Sequence, residues 1–514
     1  MNGQLQTSMK TRKLSLGIEL STQSAKMAVL DTAGGAIIYT GKIDYDSQFP
    51  EYGTAGGVLP SPDPEIRHTS PYLLVEALEH VFKKLKADSV DLSAVRAIKT
   101  DCMQHCTVYT NAYFAGAVAN LKSSASLVSQ IRPSFSRNTC PIWEDSSTRK
   151  EAETLTGLLR TKGGIIKLTG NRAELRFPAV QIMKWLKESP AEYRVTANIF
   201  LLSAFVTSVL SGRIAPVDTG DGWGTNLNTL NIRKPGWNLP VTKAIDSALM
   251  SKLGKITHYD HKVGTINKYF VKCYGVNPKA IVLCGTGDNP ATLLGCGGRA
   301  VISLGSSYTV NGVMKKIFPA ENGQYNVFGY TRGIAMALSC NTNGGKLHEA
   351  LLKKCVTGGR TPGKNDWAEY MKMAGSPVLG PSEEIALPHK AVTIRALHLS
   401  QALSLKTRAS HLSSFNEICI VGGSSKNTLL RQMITDAFGT VSYTIKNPDF
   451  AAPIGCAISG AREILGITYK EACKRFVQVD ETSRLKPMAA NKPVIKTLIQ
   501  RYKKLEARER ECIR

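Results

Sequence analysis

Short apolar runs alternate along the chain with polar turns that are rich in glycine and hydroxyl groups. The runs at 14–20, 280–283, 300–304 and 418–421 have the length and character of buried strands. The longer segment 71–87 has apolar residues at helical spacing instead, at Leu74, Leu78, Val81, Phe82 and Leu85. Strands that alternate with helices in this way predict an α/β protein.

Further elements follow from the same pattern. A hairpin is predicted from the strands 27–31 and 36–39, which flank Thr32-Ala-Gly-Gly35. The segment that starts at Cys140 is expected to lead from a strand into a helix capped by Ser147 or Thr148. The remaining predicted elements are strands at 95–100, 301–304 and 335–340, and helices at 180–187, 199–210, after Gly345, at 392–412 and at 428–437.

The strand-and-turn segments recur far apart in the sequence, at 14–23, at 300–307 and at 418–427. Each turn offers backbone N–H groups and hydroxyls that suit a phosphate, and the last also leads into a helix amino terminus. With 514 residues the chain exceeds what one hydrophobic core usually supports. We therefore predict two similar halves that face each other across a cleft, with a phosphate chain between them.

Composition limits the class of protein. A hydrophobic share of 43% with 20% charged residues is ordinary for a globular chain, and no apolar run is long enough to cross a bilayer. Residues 1–13 lack the apolar block of a secretory signal, and residues 511–514 match no address signal, so a cytoplasmic protein is expected. The twelve cysteines form no disulfide framework and are expected to be reduced core residues.

The formal charge of +25 favours nonspecific contact with anions, but basic residues are scattered along most of the sequence. The dense cluster is the tail 486–514, which is interpreted as a solvated helix. No recognised nucleic-acid module accompanies the charge, so no specific nucleic-acid partner and no membrane partner is expected. The functional role that we infer for the net positive charge is to attract anionic substrates toward the protein.

The segment Cys284-Gly-Thr-Gly-Asp288-Asn-Pro-Ala291 is the strongest candidate for chemistry, because it places one carboxylate in a glycine-lined turn after a buried strand. A P-loop is absent from the sequence, and Pro290 stands where a dinucleotide fingerprint would continue toward its third glycine. Cys102-Met-Gln-His-Cys106 has no second pair at zinc-finger spacing. His105, beside Gln104, suits hydrogen bonding to a polyol, with a satisfied structural histidine as the alternative.

An ordered series of motifs spans nearly all of the chain. The motifs are Gly17-Ile-Glu-Leu-Ser-Thr-Gln23 with Lys26, Pro50-Glu-Tyr-Gly53-Thr-Ala-Gly-Gly57, Gln104-His105, Trp143-Glu-Asp-Ser-Ser-Thr148, Gly170-Asn-Arg-Ala-Glu-Leu-Arg-Phe177, Gly287-Asp-Asn-Pro290, Ser303-Leu-Gly-Ser-Ser307 and Gly422-Gly-Ser-Ser-Lys-Asn427. Each motif alone is weak, whereas the ordered series is specific. With this series the chain resembles the sugar kinases of the FGGY carbohydrate kinase family.

The resemblance implies two actin-like, ribonuclease H-like ATPase domains around a central cleft. It implies a sugar-binding domain at 12–287, a nucleotide-binding domain at 288–480 and a basic helical tail at 481–514. The implied reaction is the ATP- and Mg²⁺-dependent phosphorylation of a ketose, most closely D-xylulose, to its 5-phosphate. Oligomeric state is left open between monomer and homodimer.

The resemblance also implies roles for single residues. Asp288 would be the general base that accepts the proton of the attacking hydroxyl, and Glu19 and Asp288 would bind the metal through water. The implied sugar-binding residues are Gln104, His105, Arg176, Asp288 and Asn289. The implied nucleotide-binding residues are Ser21, Thr22, Gln23, Gly305, Ser306, Trp367, Gly422, Gly423 and Asn427, with a domain-packing aromatic as the alternative for Trp367.

The chain departs from the family pattern at several positions. Glu19 stands where the family usually has aspartate, Cys106 where it has glycine, Ser306 where it has threonine, and Thr225 where it has methionine. The longer Glu19 side chain would push its carboxylate toward the water ligands of the metal. Two alternatives therefore stay open: a kinase of another ketose or polyol such as ribulose or glycerol, and a sugar- and ATP-binding protein with weakened catalysis.

Overall fold

A computed structural model describes residues 12–298, 300–305, 307–314, 316–320, 323–413 and 415–513. Ser306, implied above as a nucleotide contact, lies outside the described residues.

The strands are β1 Leu14–Leu20, β2 Ser24–Asp31, β3 Ile37–Asp44, β4 His68–Thr69, β5 Val95–Cys102, β6 Thr107–Thr110, β7 Cys140–Pro141, β8 Asn198–Leu201, β9 Val217–Asp218, β10 Ile256–Thr257, β11 Lys262–Thr265, β12 Ile281–Leu283, β13 Thr286–Gly287, β14 Ala300–Leu304, β15 Tyr308–Val313, β16 Asn326–Gly329, β17 Ala335–Asn341, β18 Glu417–Val421, β19 Val441–Ile445 and β20 Val479–Leu485. The helices are α1 Tyr45–Gln48, α2 Pro71–Ala87, α3 Tyr113–Ala119, α4 Leu127–Ile131, α5 Arg149–Leu159, α6 Ile165–Thr169, α7 Pro178–Glu188, α8 Pro190–Val195, α9 Leu202–Ser211, α10 Thr219–Gly222, α11 Leu239–Ile245, α12 Leu249–Lys252, α13 Lys268–Tyr274, α14 Asp288–Gly295, α15 Gly344–Leu352, α16 Lys364–Met373, α17 Ile394–Arg408, α18 Thr428–Phe438, α19 Ala451–Leu465, α20 Tyr469–Phe476 and α21 Lys492–Ile513.

The first seven-stranded sheet has the order β11-β12-β5-β1-β2-β3, and β13 also pairs with β5. Strands β1, β2 and β3 form an antiparallel meander, whereas β5 runs parallel to β1 and β12 runs parallel to β5. Strand β11 lies antiparallel to β12 at the edge. Helix α2 has the predicted bounds, begins after the Ser70 cap, and buries all five apolar residues named above.

The second seven-stranded sheet, β16-β17-β15-β14-β18-β19-β20, repeats this topology. Strands β14, β15 and β17 form the meander, β18 runs parallel to β14, β19 runs parallel to β18, and β20 is antiparallel to β19. The two halves of the chain are therefore similar, as the recurring strand-and-turn segments predicted. All strands of the first sheet precede residue 288 and those of the second follow residue 299, but the predicted domain bounds at 287 and 480 stay a prediction.

Helix α19 lies between the two halves, because it follows the second meander in sequence yet packs on β1, β2 and β5 of the first sheet. Glycines allow this close approach. A Cβ on Gly17 of β1 would lie 1.9 Å from the Pro453 carbonyl oxygen. Where α14 crosses α19, a Cβ on Gly295 would lie 1.9 Å from the Ala451 oxygen, and one on Gly455 would lie 2.0 Å from the Ala291 oxygen. The crossing therefore depends on residues without side chains at these positions.

Some sequence-based expectations differ from the structure. The segment predicted as one helix at 199–210 starts with strand β8, which pairs with β6, and only then becomes α9; Ile199 and Phe200 favour the strand. Thr148 occupies the cap position of α5, but its side chain makes no cap hydrogen bond and donates instead to the Leu175 carbonyl.

The expectation that the basic tail is a solvated helix is only partly correct. Helix α21 is not solvated on all sides, because Ile495, Leu498 and Tyr502 recur at helical spacing and are buried in the second core. The cysteines whose side chains the structure describes are free thiols and most are buried, although Cys355 is exposed.

Within the described residues, no single helix is long and apolar enough to cross a membrane. One bent pair, Pro448–Leu465 with Tyr469–Phe476 at 118°, meets the length and composition required. The first helix of this pair contains α19, which is buried between the two halves along most of its length.

The glycine crossing leads to a stability prediction. In Gly455→Ala, the new methyl group would overlap the Ala291 carbonyl, so α14 and α19 must move apart. We expect the protein to lose about 1–3 kcal/mol of stability, as overpacked cores do, and to melt several degrees lower in calorimetry. The matched control is Gly157→Ala on the exposed face of α5, where a Cβ meets no atom within 4 Å. This control should gain up to about 1 kcal/mol from helix propensity, and equal melting temperatures for the two variants would contradict the prediction.

Candidate active site

A row of charged residues crosses the first sheet at the carboxyl end of β1. The strand register places Asp101 of β5, Glu19 of β1, Lys26 of β2 and Lys42 of β3 side by side. Directly paired residues project to the same face of a sheet, so the four side chains share one side. The Glu19 carboxylate lies 3.1 Å from the Lys26 ammonium group, and Glu19 is buried. The longer carboxylate of Glu19 is therefore held in an ion pair.

Asp288 lies at the start of helix α14 and not in an open turn, with Gly287 as the cap residue before it. The partial positive charge of a helix amino terminus favours a carboxylate at this place. Burial nevertheless raises the pKa of Asp288 to about 7, and the nearby negative charge of Glu19 adds to the rise. Asp288 has no ion-pair partner within the described part of the chain, so it is available as a base near neutral pH.

Asp101 is the acidic residue that the sequence analysis missed. Its side chain is fully buried, its Oδ2 accepts from the Cys456 thiol at 3.3 Å, and its Oδ1 has no partner among the described residues. Burial raises its pKa well above the ordinary range, and the charges of Glu19 and Asp288 act in the same direction. The signal was present in the sequence, because Asp101 directly follows the strand predicted at 95–100, Glu19 lies near the end of the strand predicted at 14–20, and the carboxyl ends of parallel neighbours meet at one edge.

These acids fit a cation that is bound through water. Glu19, Asp101 and Asp288 lie near one another, and Lys26 is the cation whose charge acts on both aspartates. In the described ranges, no group of three or more histidine, cysteine or acidic side chains is close enough to bind one metal ion directly. Mg²⁺ usually keeps several of its water ligands and binds through one or two carboxylates together with substrate phosphates. The donor set therefore suits Mg²⁺ that arrives with a nucleotide.

Amide side chains connect Asp288 to the predicted sugar-binding residues. The Asn289 Nδ2 group donates to Gln104 Oε1 at 2.8 Å and to Asp288 Oδ1 at 2.9 Å. Gln104 Nε2 donates to the Gly220 carbonyl at 3.1 Å, and buried Asn311 donates to Asn289 Oδ1 at 3.3 Å. The structure thus brings Gln104 and Asn289 together beside the candidate base, and it adds Asn311, which the sequence did not single out.

His105 is held in one orientation by its surroundings. Its backbone is left-handed, with φ of 70°, and its ring stacks on Phe177 at 4.4 Å. Nδ1 lies 2.8 Å from the Gly224 carbonyl, which only accepts, so Nδ1 carries the hydrogen and Nε2 is an acceptor. Burial lowers the pKa of His105 to about 3, and the charge of Arg176 contributes. A neutral ring that can accept from a hydroxyl suits a sugar, and the satisfied Nδ1 bond shows that His105 also has a structural role.

A cleft of about 550 Å³ lies above the charged row. The hairpin turn after β1 contributes Ser21, whose hydroxyl donates to the Ser24 carbonyl, and Thr22, whose hydroxyl accepts from Trp143 Nε1 at 2.9 Å. The residues that line the cleft include Glu19, Ser21, Thr22, Gln23, Lys26, Lys42, Trp143, Asp288, Asn289, Ser303, Gly422, Asp449 and Phe450. The first turn, the candidate base and the turn after β18 therefore meet in one space.

Four predicted nucleotide contacts lie outside the lining of this cleft: Gly305, Trp367, Gly423 and Asn427. Gly423 is exposed beside Gly422, which has φ of 90°. Trp367 lies on α16, is 38% exposed and contacts the edge of Tyr370. Both interpretations of Trp367 thus have support, since it packs within its domain and also presents an accessible face.

Sequence comparison relates the chain to known enzymes. A model of the N-terminal domain of the FGGY family of carbohydrate kinases matches residues 14–295. Xylulose kinase from Rattus norvegicus is 30% identical over 534 residues and covers 97% of this chain and of its own. Xylulose kinase 2 from Arabidopsis thaliana is 29% identical over 490 residues, with 87% of each chain covered.

Structural comparison agrees. The crystal structure of ligand-bound xylulose kinase from Lactobacillus acidophilus matches with a TM-score of 0.75 at 17% identity, covering 96% of this chain and 98% of that one. The match confirms the predicted fold class, two actin-like ATPase domains around a central cleft. Because the family model covers more than half of the residues, and full-length relatives agree with it, the chain belongs to the FGGY family of carbohydrate kinases.

Proposed function

We propose that this protein transfers the γ-phosphate of ATP to the terminal hydroxyl of D-xylulose, giving D-xylulose 5-phosphate and ADP. The observation that carries the proposal is the half-buried Asp288 carboxylate, which has no ion-pair partner among the described residues and lines a cleft together with the turns after β1 and β18. The curated relatives named xylulose kinase, which align with most of the chain, support the choice of sugar.

Asp288 would accept the proton of the sugar hydroxyl as the hydroxyl oxygen attacks the γ-phosphorus. Gln104 and Asn289, which are hydrogen-bonded to each other beside Asp288, would orient the sugar hydroxyls next to the reacting one. His105 would accept from one hydroxyl through Nε2, and Arg176 would donate to another sugar oxygen. Phosphoryl transfer depends mainly on alignment and charge stabilisation, so this small set is chemically sufficient.

The phosphate side of the cleft would be formed by the turns. Backbone and hydroxyl groups of Ser21, Thr22 and Gln23 would contact the phosphates from the first domain, and Gly305 with Gly422, Gly423 and Asn427 would bind the nucleotide from the second, with Trp367 beside the base. Mg²⁺, bound through water by Glu19 and Asp288, would supply neutralisation of the charge on the transferred phosphoryl group.

The remaining assignments follow from this proposal. We propose a sugar-binding domain at 12–287, a nucleotide-binding domain at 288–480 and a C-terminal tail at 481–514, and we expect the protein to act in the cytoplasm on small molecules, without a specific nucleic-acid or membrane partner. The alternative of weakened catalysis rests on Glu19 and on the basic tail. Glutamate retains a carboxylate at this position of β1, beside Lys26, and this supports an active enzyme.

The first test is a substrate panel. With Mg²⁺ and ATP, we expect coupled ADP detection to give the highest kcat/KM for D-xylulose, with D-ribulose and glycerol lower by at least about tenfold, since an unpaired polar group in the site costs on the order of 1–3 kcal/mol. Mass spectrometry should detect the pentulose monophosphate. The control is Asp288→Asn, which keeps the shape of the side chain and should lower kcat by about 100- to 10,000-fold. A higher kcat/KM for glycerol, or full activity in Asp288→Asn, would overturn the proposal.

The pKa of Asp288 gives a pH prediction. Only the ionised carboxylate accepts a proton, so kcat/KM should fall as the pH drops through about 7, where burial and Glu19 have raised the pKa of this group. In Glu19→Gln the neighbouring negative charge is absent, so the acidic limb should move to lower pH. The measurement is kcat/KM from about pH 5 to pH 9 for both proteins. A flat profile, or a limb that moves to higher pH in Glu19→Gln, would count against the assignment.

Glu19 also predicts a metal preference. In Glu19→Asp the carboxylate is one methylene shorter and moves away from Lys26 and from the water ligands it would contact. We expect the ratio of kcat with Mg²⁺ to kcat with Mn²⁺ to change by about tenfold, as it does when groups around a metal are displaced. Equal ratios in the two proteins would remove Glu19 from the metal site. Lys42→Met, which alters the exposed end of the same row, is the matched control and should leave the ratio unchanged.

A further inference from the structure

We propose that His398 is a positioning residue for the nucleotide, because it fixes the side chain of Asn427 at the turn that follows β18. The inference rests on the proposed ATP-dependent reaction, but it concerns how the nucleotide is bound and not which sugar accepts the phosphate. His398 lies on α17, within the second domain, and is fully buried.

The hydrogen-bond partners of His398 determine its tautomer. Nδ1 lies 2.7 Å from the Ile394 carbonyl oxygen, one turn earlier on α17. A carbonyl only accepts, so Nδ1 carries the ring hydrogen and Nε2 is left with a lone pair. Nε2 lies 2.7 Å from Asn427 Nδ2 and therefore accepts from it. Burial lowers the pKa of His398 to about 4, so the ring stays neutral and the direction of this bond is the same throughout the physiological pH range.

Asn427 is fixed from both ends of its amide. Its Oδ1 accepts the Leu430 N–H at 3.0 Å and so caps helix α18, while its Nδ2 donates to His398. These two bonds exclude a flip of the amide, since a flipped group would place a donor against the Leu430 N–H and an acceptor against Nε2 of His398. One amide hydrogen and one oxygen lone pair remain for a ligand. Asn427 is half-buried, so its remaining groups are accessible beside Gly422 and Gly423.

A second buried histidine supports the first. The ring of His348 meets that of His398 edge-on, with centroids 4.5 Å apart. His348 Nε2 lies 2.7 Å from Gln401 Oε1, and Gln401 Nε2 donates to the Gly344 carbonyl at 2.9 Å. His348 and Gln401 are buried, and each has its polar atoms paired. The rings of His398 and His348 and the amide of Gln401 therefore form one hydrogen-bonded, buried layer behind the turn that follows β18.

The same layer reaches two other parts of the proposed nucleotide site. The Tyr370 hydroxyl lies 2.8 Å from Nδ1 of His348 and donates to it, and its ring contacts Trp367 with centroids 5.7 Å apart. At the amino end of α15, beside Gly344, the Asn343 N–H donates to the Ser307 hydroxyl at 3.1 Å. The buried layer behind the turn after β18 therefore reaches the turn after β14 through the backbone of residues 343–344, and it reaches Trp367 through the Tyr370 ring.

The experiment compares nucleotide and sugar parameters in His398→Phe. The phenyl ring keeps an aromatic group in the core but has no acceptor, so the Asn427 amide loses one of its two constraints. We expect the KM for ATP and the Kd for ADP with Mg²⁺, the latter from calorimetry, to rise about tenfold, the effect of one lost hydrogen bond. The KM for D-xylulose and kcat should stay within about twofold. An equal rise in both KM values, or unchanged ADP affinity, would overturn the proposal.

A double-mutant cycle separates positioning from general destabilisation. If His398 acts through Asn427, then Asn427→Ala should weaken ADP binding by a similar factor, and adding His398→Phe to it should weaken ADP binding no further. Additive losses would overturn the proposal. His398→Gln keeps a side-chain carbonyl acceptor and should recover part of the affinity. If His398→Phe fails to fold, the ADP affinities of His398→Gln and Asn427→Ala decide, since wild-type affinity in Asn427→Ala overturns the proposal.

The control variant is His411→Phe in the same domain. His411 stacks on Tyr325 with centroids 3.7 Å apart, outside the network, so its loss should leave the Kd for ADP unchanged. Calorimetry also separates this inference from the proposed function. A wild-type protein that binds ADP but does not phosphorylate D-xylulose would refute the proposed sugar and leave the role of His398 supported by the cycle, whereas a wild-type protein that binds no ADP would refute both.

Discussion

The constraint on which the site depends is the burial of more negative than positive charge where the two domains meet. Glu19, Asp101 and Asp288 act on one another there, and Lys26 is paired with the first of them at 3.1 Å. A buried carboxylate is costly unless a charge or a proton compensates it. The raised pKa values of both aspartates express that imbalance, and the same imbalance makes the site attractive to a cation and Asp288 basic enough to accept a proton.

The rest of the fold holds these charged residues in fixed positions relative to one another. Strand pairing aligns Glu19 with Asp101 and with Lys26, so none of them can shift without breaking the sheet. Helix α14 fixes Asp288, and its close crossing with α19 through Gly295 and Gly455 fixes α14. Because α19 also packs directly on β1, the helix that carries Asp288 and the strand that carries Glu19 belong to one rigid unit.

The sequence predicted those parts of the site that depend on local patterns. Asp288 follows an apolar run and a glycine turn, and the glycine turns themselves have distinctive compositions. Asp101 was not predicted as a site residue because its position depends on strand pairing. The pairing of β1 with β5 brings it beside Glu19, which is 82 residues earlier in the sequence. His398 was missed because it resembles any helical core residue until its partner Asn427 is known. The buried face of the tail was not predicted, because it consists of only a few apolar residues at helical spacing within a strongly basic segment.

The repeated topology, combined with different side chains in the two sheets, accounts for the different roles that we propose for the two domains. Glu19 pairs with Asp101 and Lys26 in the first sheet, and the equivalent position of the second sheet, Ser303, pairs with Val421 and Thr309. The same backbone arrangement therefore carries a charged row in one half and a neutral one in the other. A neutral strand end with glycine turns allows close approach of a polyanion without competing carboxylates, while the charged end has the carboxylates that a cation and a proton require. In the proposed function, two copies of one scaffold therefore give a site in which the nucleotide is held from one side and the proton is removed from the other.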